Sequence, residues 1–285
     1  MPIAIADGVY QSVAVVGDVA FVGHNRRGID LVDLNLRRKT GRVAGQVVAD
    51  AMTSMGRKVV ACGLRDDAPI DPMSLFTDVP ADRRYVLTVI DAATKKVEGE
   101  VKLGLERLLS SRPPGFHDLP DLSCRFDASA KVMVVTFSGD ELGQRQVAFK
   151  MPAVGASLDF ENIPGAITTN LSTGSEDTLK ASASSEHGIT YAAGGHGLRR
   201  LAPSATRATA LRSEGREWMA DLAIRNGSIY AVDHDGGLVI AEDATGKTVE
   251  RVEIPDLLHA ITLTPTHVVV VGRGGIFLAK DRWGR

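Results

Sequence analysis

The sequence predicts an all-β fold, a ring of six four-stranded units, and three observations carry that expectation. The stretch 226–252, NGSIYAVDHDGGLVIAEDATGKTVERV, holds two short apolar runs, Ser228 to Val232 and Leu238 to Ala241, and leads into a third extended run from Thr248; Asp/Gly turns separate them. Such a meander cannot bury both of its faces alone, so it needs copies of itself. Five further stretches carry the same pattern, starting at Gly17, Arg57, Ala130, His187 and Thr266. Their second strands recur at separations of roughly 40, 73, 57, 40 and 39 residues, the period of a four-stranded blade with two insertions. The expected architecture is a six-bladed β-propeller over residues 1–285, one domain, closed by the N-terminal strand at 2–6 joining the last blade.

Taken in order, blade one is placed at 9–49, with the turn Gly23 to Gly28 between its second and third strands. Blade two, 50–104, carries an insertion at about 64–84 whose prolines and acids read as a surface loop of the kind that closes over sites. A second insertion at about 104–120 has Leu105, Leu108 and Leu109 at helical spacing and ends at Pro113-Pro114. Blade three is placed at 121–158 and blade four at 159–211, opening with a Ser/Thr-rich link. Blade five, 212–255, and blade six, 256–285 with 2–6, are compact.

Composition narrows the partners. With 285 residues and 44% apolar content the chain can bury a large core. A formal net charge of −2, with both signs mixed along the chain, leaves no basic stripe for nucleic acid, and aromatic residues are too sparse to stack single strands. The N-terminal stretch has neither a basic start nor an apolar run of signal length, and nothing approaches the roughly 18 apolar residues of a membrane span, so the expected location is cytoplasmic. Cys62 and Cys124 fall inside strands and read as buried thiols, since no neighbouring histidine completes a zinc set.

Propeller geometry then gathers candidate residues. Innermost strands start at one face, and the turns between second and third strands return to it. Those turns offer His24, His196, Asp233-His234-Asp235 and Arg273. The entrances to the innermost strands offer Tyr10 and Gln11, Asp50, Asp121, Lys180, Asp221 with Trp218 nearby, and His259. Two chemistries suit this ring. A divalent cation (Ca²⁺, Mg²⁺ or Mn²⁺) held by Asp50, Asp121, Asp221 and His259 would polarise a carbonyl or activate water. Alternatively His234, His196 or His24 acts as general acid/base, oriented by Asp233 or Asp235. Arg273, Tyr10, Gln11, Trp218 and Lys180 would then hold a polar or anionic substrate. A plainer account stands beside both: Asp-His-Asp-Gly is also a good hairpin turn, and channel-lining acids can simply bond to neighbouring backbone.

The stretch from Asp235 to Lys247 resembles the repeat of quinone-dependent dehydrogenases and their non-enzymatic relatives, and GIDLVDLN at 28–35 resembles the LVIVD repeat. The first departs from its pattern where Val249 and Glu250 stand in place of the usual Trp. The metal chemistry is similar in kind to that of gluconolactonase-like and streptogramin-lyase propellers. These likenesses imply the fold and leave the activity open. Two functions are therefore carried forward: an enzyme acting on a small polar or anionic metabolite at the channel mouth (lyase, hydrolase or isomerase/cyclase), or a non-catalytic binding or interaction propeller. A quinone or nicotinamide oxidoreductase is a poorer third reading; no Gly-x-Gly-x-x-Gly follows a strand and opens a helix.

Overall fold

The computed structural model describes residues 3–6, 8–25, 27–65, 84–104, 121–128, 130–139, 143–159, 162–170, 179–184, 190–194, 197–201, 209–212, 218–242 and 244–283. All regular structure in these residues is β apart from turns. After β1 (Ile3–Ala6), the first sheet takes β2 (Tyr10–Val16), β3 (Val19–His24), β4 (Ile29–Asp33) and β5 (Arg38–Val43). The second takes β6 (Val47–Met55), β7 (Lys58–Arg65), β8 (Arg84–Asp91) and β9 (Lys96–Gly104). The third takes β10 (Asp121–Asp127), β11 (Val132–Gly139), β12 (Gly143–Phe149) and, after β13 (Ser157–Asp159), β14 (Ile167–Asn170). The fourth is β15 (Leu179–Ser184), β16 (Thr190–Gly194), β17 (Gly197–Leu201) and β18 (Thr209–Arg212). The fifth is β19 (Met219–Arg225), β20 (Ser228–Asp233), β21 (Gly237–Glu242) and β22 (Thr248–Glu253). The last is β23 (Leu258–Leu263), β24 (His267–Gly272) and β25 (Gly275–Lys280), with β1 beside β25.

The innermost strands pack side by side in the order β2, β6, β10, β15, β19, β23 and back to β2, so the sheets stand around a central channel. This is a β-propeller. Each sheet is covered on both faces by its neighbours, which is why its middle strands read as unbroken apolar runs rather than alternating ones. Val268 to Val271 in β24 are all buried, as are Ile229 to Val232 in β20. The outer strands tell the opposite story. β22 alternates half-buried and exposed, and β5 is mostly exposed, because each has only one sheet neighbour and faces solvent.

The expectation of uniform four-stranded blades closed by the N-terminal strand is corrected on two counts. Five sheets have four strands, but the second has a fifth, β13, added parallel to β9 with Ser157 opposite Lys102 and Asp159 opposite Gly104. The cause is apolar. Leu158, with Met151, Ile163 and Ala166, packs onto the cluster shared by the second and third sheets, which includes Leu87, Leu103, Met133 and Phe149. The chain then returns, so the third sheet ends with β14 and the fourth begins at β15 rather than near residue 159. As for closure, β1 runs antiparallel to β25 over only three paired positions, with a register shift between Ala4 and Ala6. The larger contact between chain ends is a buried seam, in which Tyr10, Val13, Ala20, Val22 and Val32 of the first sheet meet Ala260, Val269, Val271, Ile276 and Leu278 of the last. Fully burying one such side chain stabilises by roughly 1.5–3 kcal/mol, so the seam outweighs the short irregular strand pairing. The helical reading of 104–120, and nearly all of the 64–84 insertion, lie outside the described residues.

Candidate active site at the channel mouth

Five innermost strands share a local irregularity. Pairing with the second strand shifts register between Tyr10 and Ser12, Ala49 and Ala51, Leu179 and Ala181, Met219 and Asp221, and Leu258 and Ala260. The skipped residues are Gln11, Asp50, Lys180, Ala220 and His259, while β10 pairs without a shift. A bulged residue has no ladder partner, and the bend re-aims its side chain. Here the bulges aim at one place. Gln11, Asp50, Ala220 and His259 line a cavity of about 270 Å³ with Leu122, Trp218 and His234. The bulge also forces a close approach behind it. A Cβ at Gly63 would lie 1.9 Å from the Val48 carbonyl oxygen, so the second strand needs glycine there.

The two histidines of the mouth are oriented by main chain. His259 Nδ1 lies 2.8 Å from the Tyr10 carbonyl oxygen, and His234 Nδ1 lies 3.2 Å from that of Leu258. A carbonyl oxygen only accepts, so in both rings Nδ1 carries the proton, and in the neutral form Nε2 is the basic nitrogen. The rings stack, with centroids 5.5 Å apart and planes at 16°. Trp218 continues the series, 5.7 Å from His234 at 37°, and its carbonyl accepts the His234 backbone N–H at 2.8 Å. Trp218 is 44% exposed, so its ring remains open to solvent at the mouth. Beside it, Gln11 Nε2 donates to the Ala49 carbonyl at 3.1 Å and lies 3.5 Å from Asp50 Oδ1.

Other candidate residues have different duties. Asp221 sits one position past the bulge, and Ala220 occupies the slot expected for it. Its Oδ1 accepts the Leu222 amide at 2.8 Å and its Oδ2 the Ile261 amide at 2.9 Å, which staples β19 to β23. Burial nevertheless pushes its carboxyl up to about 7, against the pull of those two amides. Asp233 is salt-bridged to Arg251 at 2.8 Å, so the orienting partner of His234 is the Leu258 carbonyl and not a carboxylate. Tyr10 is buried with its hydroxyl on Asp30 at 3.2 Å, and Lys39 and Arg42 close on the same carboxylate; its backbone, not its ring, serves the mouth. His24 packs edge-on against Tyr10 and does not line the cavity. Asp235 and Arg273 are exposed outside the lining. His196 and the side chains of Asp121 and Lys180 lie outside the described residues.

These placements bear on the metal. Among the described residues no group of three or more His, Cys, Asp or Glu side chains is arranged to hold an ion, and both Asp221 oxygens are taken by amides. Cys62 and Cys124 are free and buried, and burial pushes the Cys62 thiol well above its ordinary range. Sequence reasoning missed Leu122, Ala220 and, deeper in the channel, Arg125. The last left a signal, a lone cation within the innermost-strand run Ser123 to Phe126.

Neither a protein-family model nor a curated protein sequence matches this chain. Its place among β-propellers rests on the ring of sheets, and the repeat likenesses to LVIVD and quinoprotein families have no family-level support. No helix among the described residues is long and apolar enough to cross a membrane.

Proposed function

We propose that the protein is an enzyme that moves a proton on a small polar metabolite at the channel mouth, with His234 and His259 as the acid–base groups. The observation that carries this reading is the stacked imidazole pair, each ring fixed through Nδ1 on a carbonyl and both lining one cavity. Fixing Nδ1–H leaves the proton-transfer role to Nε2 in each ring, so with one ring neutral and the other imidazolium, the first takes a proton at Nε2 and the second gives one from Nε2. Asp50 and the Gln11 Oε1 supply acceptors for substrate hydroxyl groups, and Trp218 offers a flat wall. Isomerisation, cyclisation or elimination fits two bases on one rim; none of these steps requires a metal.

The test is a library of small hydroxy, oxo and amino acids, screened for a rise in melting temperature and for turnover. Activity on a stabilising compound should fall by about 10²–10⁴ in His234→Gln and in His259→Gln, with melting temperatures near wild type. Turnover untouched by both substitutions overturns the acid–base assignment. Ligands that bind and never turn over would make the mouth a receptor site instead, the reading favoured by Asp221 and Asp233 being committed to structural bonds.

A further inference from the structure

Below the mouth the cavity continues into the channel. This second space, of about 290 Å³, shares Gln11, Asp50, Leu122, Ala220 and His259 with the mouth and then runs along the innermost strands. Arg125 of β10 lines it. Its Nε is buried and has no hydrogen-bond partner. An unpartnered guanidinium N–H removed from water is costly. Burial lowers its pKa to about 10, with Asp127 opposing the shift. Both Asp221 oxygens are taken by the Leu222 and Ile261 amides, and Asp127 acts on Arg125 through its charge without reaching the Nε–H.

We propose that the channel binds a small monocarboxylate, its head group accepting the Arg125 Nε–H and its short aliphatic body lying against the apolar part of a largely polar channel wall. The carboxylate supplies what the Arg125 Nε–H lacks, a charge-assisted acceptor inside a low-dielectric space. Ser123 and Thr262 line the same space as candidate donors to the second oxygen, while Met52, Leu222 and Ile261 give the body an apolar surface. A single charge is indicated because Arg125 is the only Arg or Lys among the described lining residues, and Asp50 and Asp221 would oppose a dianion such as phosphate. The head group is held by Arg125 and not by an imidazole, although His259 lines both spaces.

The experiment compares melting temperatures in sodium butyrate, sodium phosphate and sodium chloride at matched ionic strength, for wild type, Arg125→Met and His234→Gln. At butyrate about tenfold above its Kd, wild type should melt about 3 °C higher than in chloride. His234→Gln should keep that shift and Arg125→Met should lose it. The Nε–H proton–nitrogen resonance that disappears in Arg125→Lys should also move on titrating wild type with butyrate, a reading that stands even where Arg125→Met does not fold. Butyrate acting no differently from chloride, an equal shift in Arg125→Met, phosphate stabilising as well as butyrate, or a stationary Nε resonance each overturns the proposal.

Discussion

Burial pushes the Asp221 carboxyl up to about 7, although the amides of Leu222 and Ile261 both donate to it. A carboxyl raised above its unfolded value of 3.8 holds its proton more tightly when folded. Its contribution to stability is therefore complete below about pH 4 and is lost as pH rises toward 7, on the order of a few kcal/mol. Asp221→Asn should remove this dependence. The difference in melting temperature, variant minus wild type, should grow in the variant's favour between pH 4 and pH 7 and then level off. Parallel profiles would show that the two amides hold the carboxylate ionised throughout. Asp30 behaves in the opposite sense. Burial works to raise it, but its bonds to Arg42 and Lys39 outweigh burial and hold it below the usual range. That contribution is present above the unfolded value and fades only in acid.

The bulged innermost strand is the element on which the mouth depends. It places Gln11, Asp50, Ala220 and His259 at equivalent positions of different sheets, so contacts form between residues 39 apart (Gln11 and Asp50) and 249 apart (Tyr10 and His259). The same bulge presses the Val48 carbonyl against Gly63. Gly63→Ala cannot be absorbed by a flexible side chain, because the obstructing atom is backbone. It should destabilise by about 1–3 kcal/mol in urea unfolding, and more if β6 cannot move. Since Asp50 occupies that bulge, the variant should also disturb the mouth, seen as weaker binding of any ligand that stabilises wild type. A neutral Gly63→Ala would mean that the bulge is soft and does not position Asp50.

For the whole molecule, the ring links distant parts of the chain through apolar seams. Each described seam draws on two adjacent sheets, as between the first and second, the fourth and fifth, and the fifth and last. No sheet can lose its packing without exposing its neighbours. Thermal unfolding should therefore be one transition, coincident by far- and near-ultraviolet circular dichroism. Ile276, fully buried in the seam between the first and last sheets, should cost about 2–5 kcal/mol when changed to Ala, while leaving a single transition. Two separated transitions in Ile276→Ala would show that the ring opens at that seam.

Period and turn chemistry by themselves determined the all-β class and the positions of the innermost strands, because sheets buried on both faces leave unbroken apolar runs between Asp/Gly turns. Strands with weak apolar content escaped that logic: β13 and β14 were assigned to the wrong units, since their membership depends on which seam Leu158, Ile163 and Ala166 reach. At the mouth, the polar residues before each innermost strand were legible as a ring, and Gln11, Asp50 and His259 do stand there with His234 and Trp218. Their roles were not legible. Whether an aspartate faces the cavity or a neighbour's amides turns on a one-residue bulge, which separates Ala220 from Asp221 and leaves no mark in composition or period. The partners of His234 and His259 are carbonyls 24 and 249 residues away, brought within reach only when the ring closes.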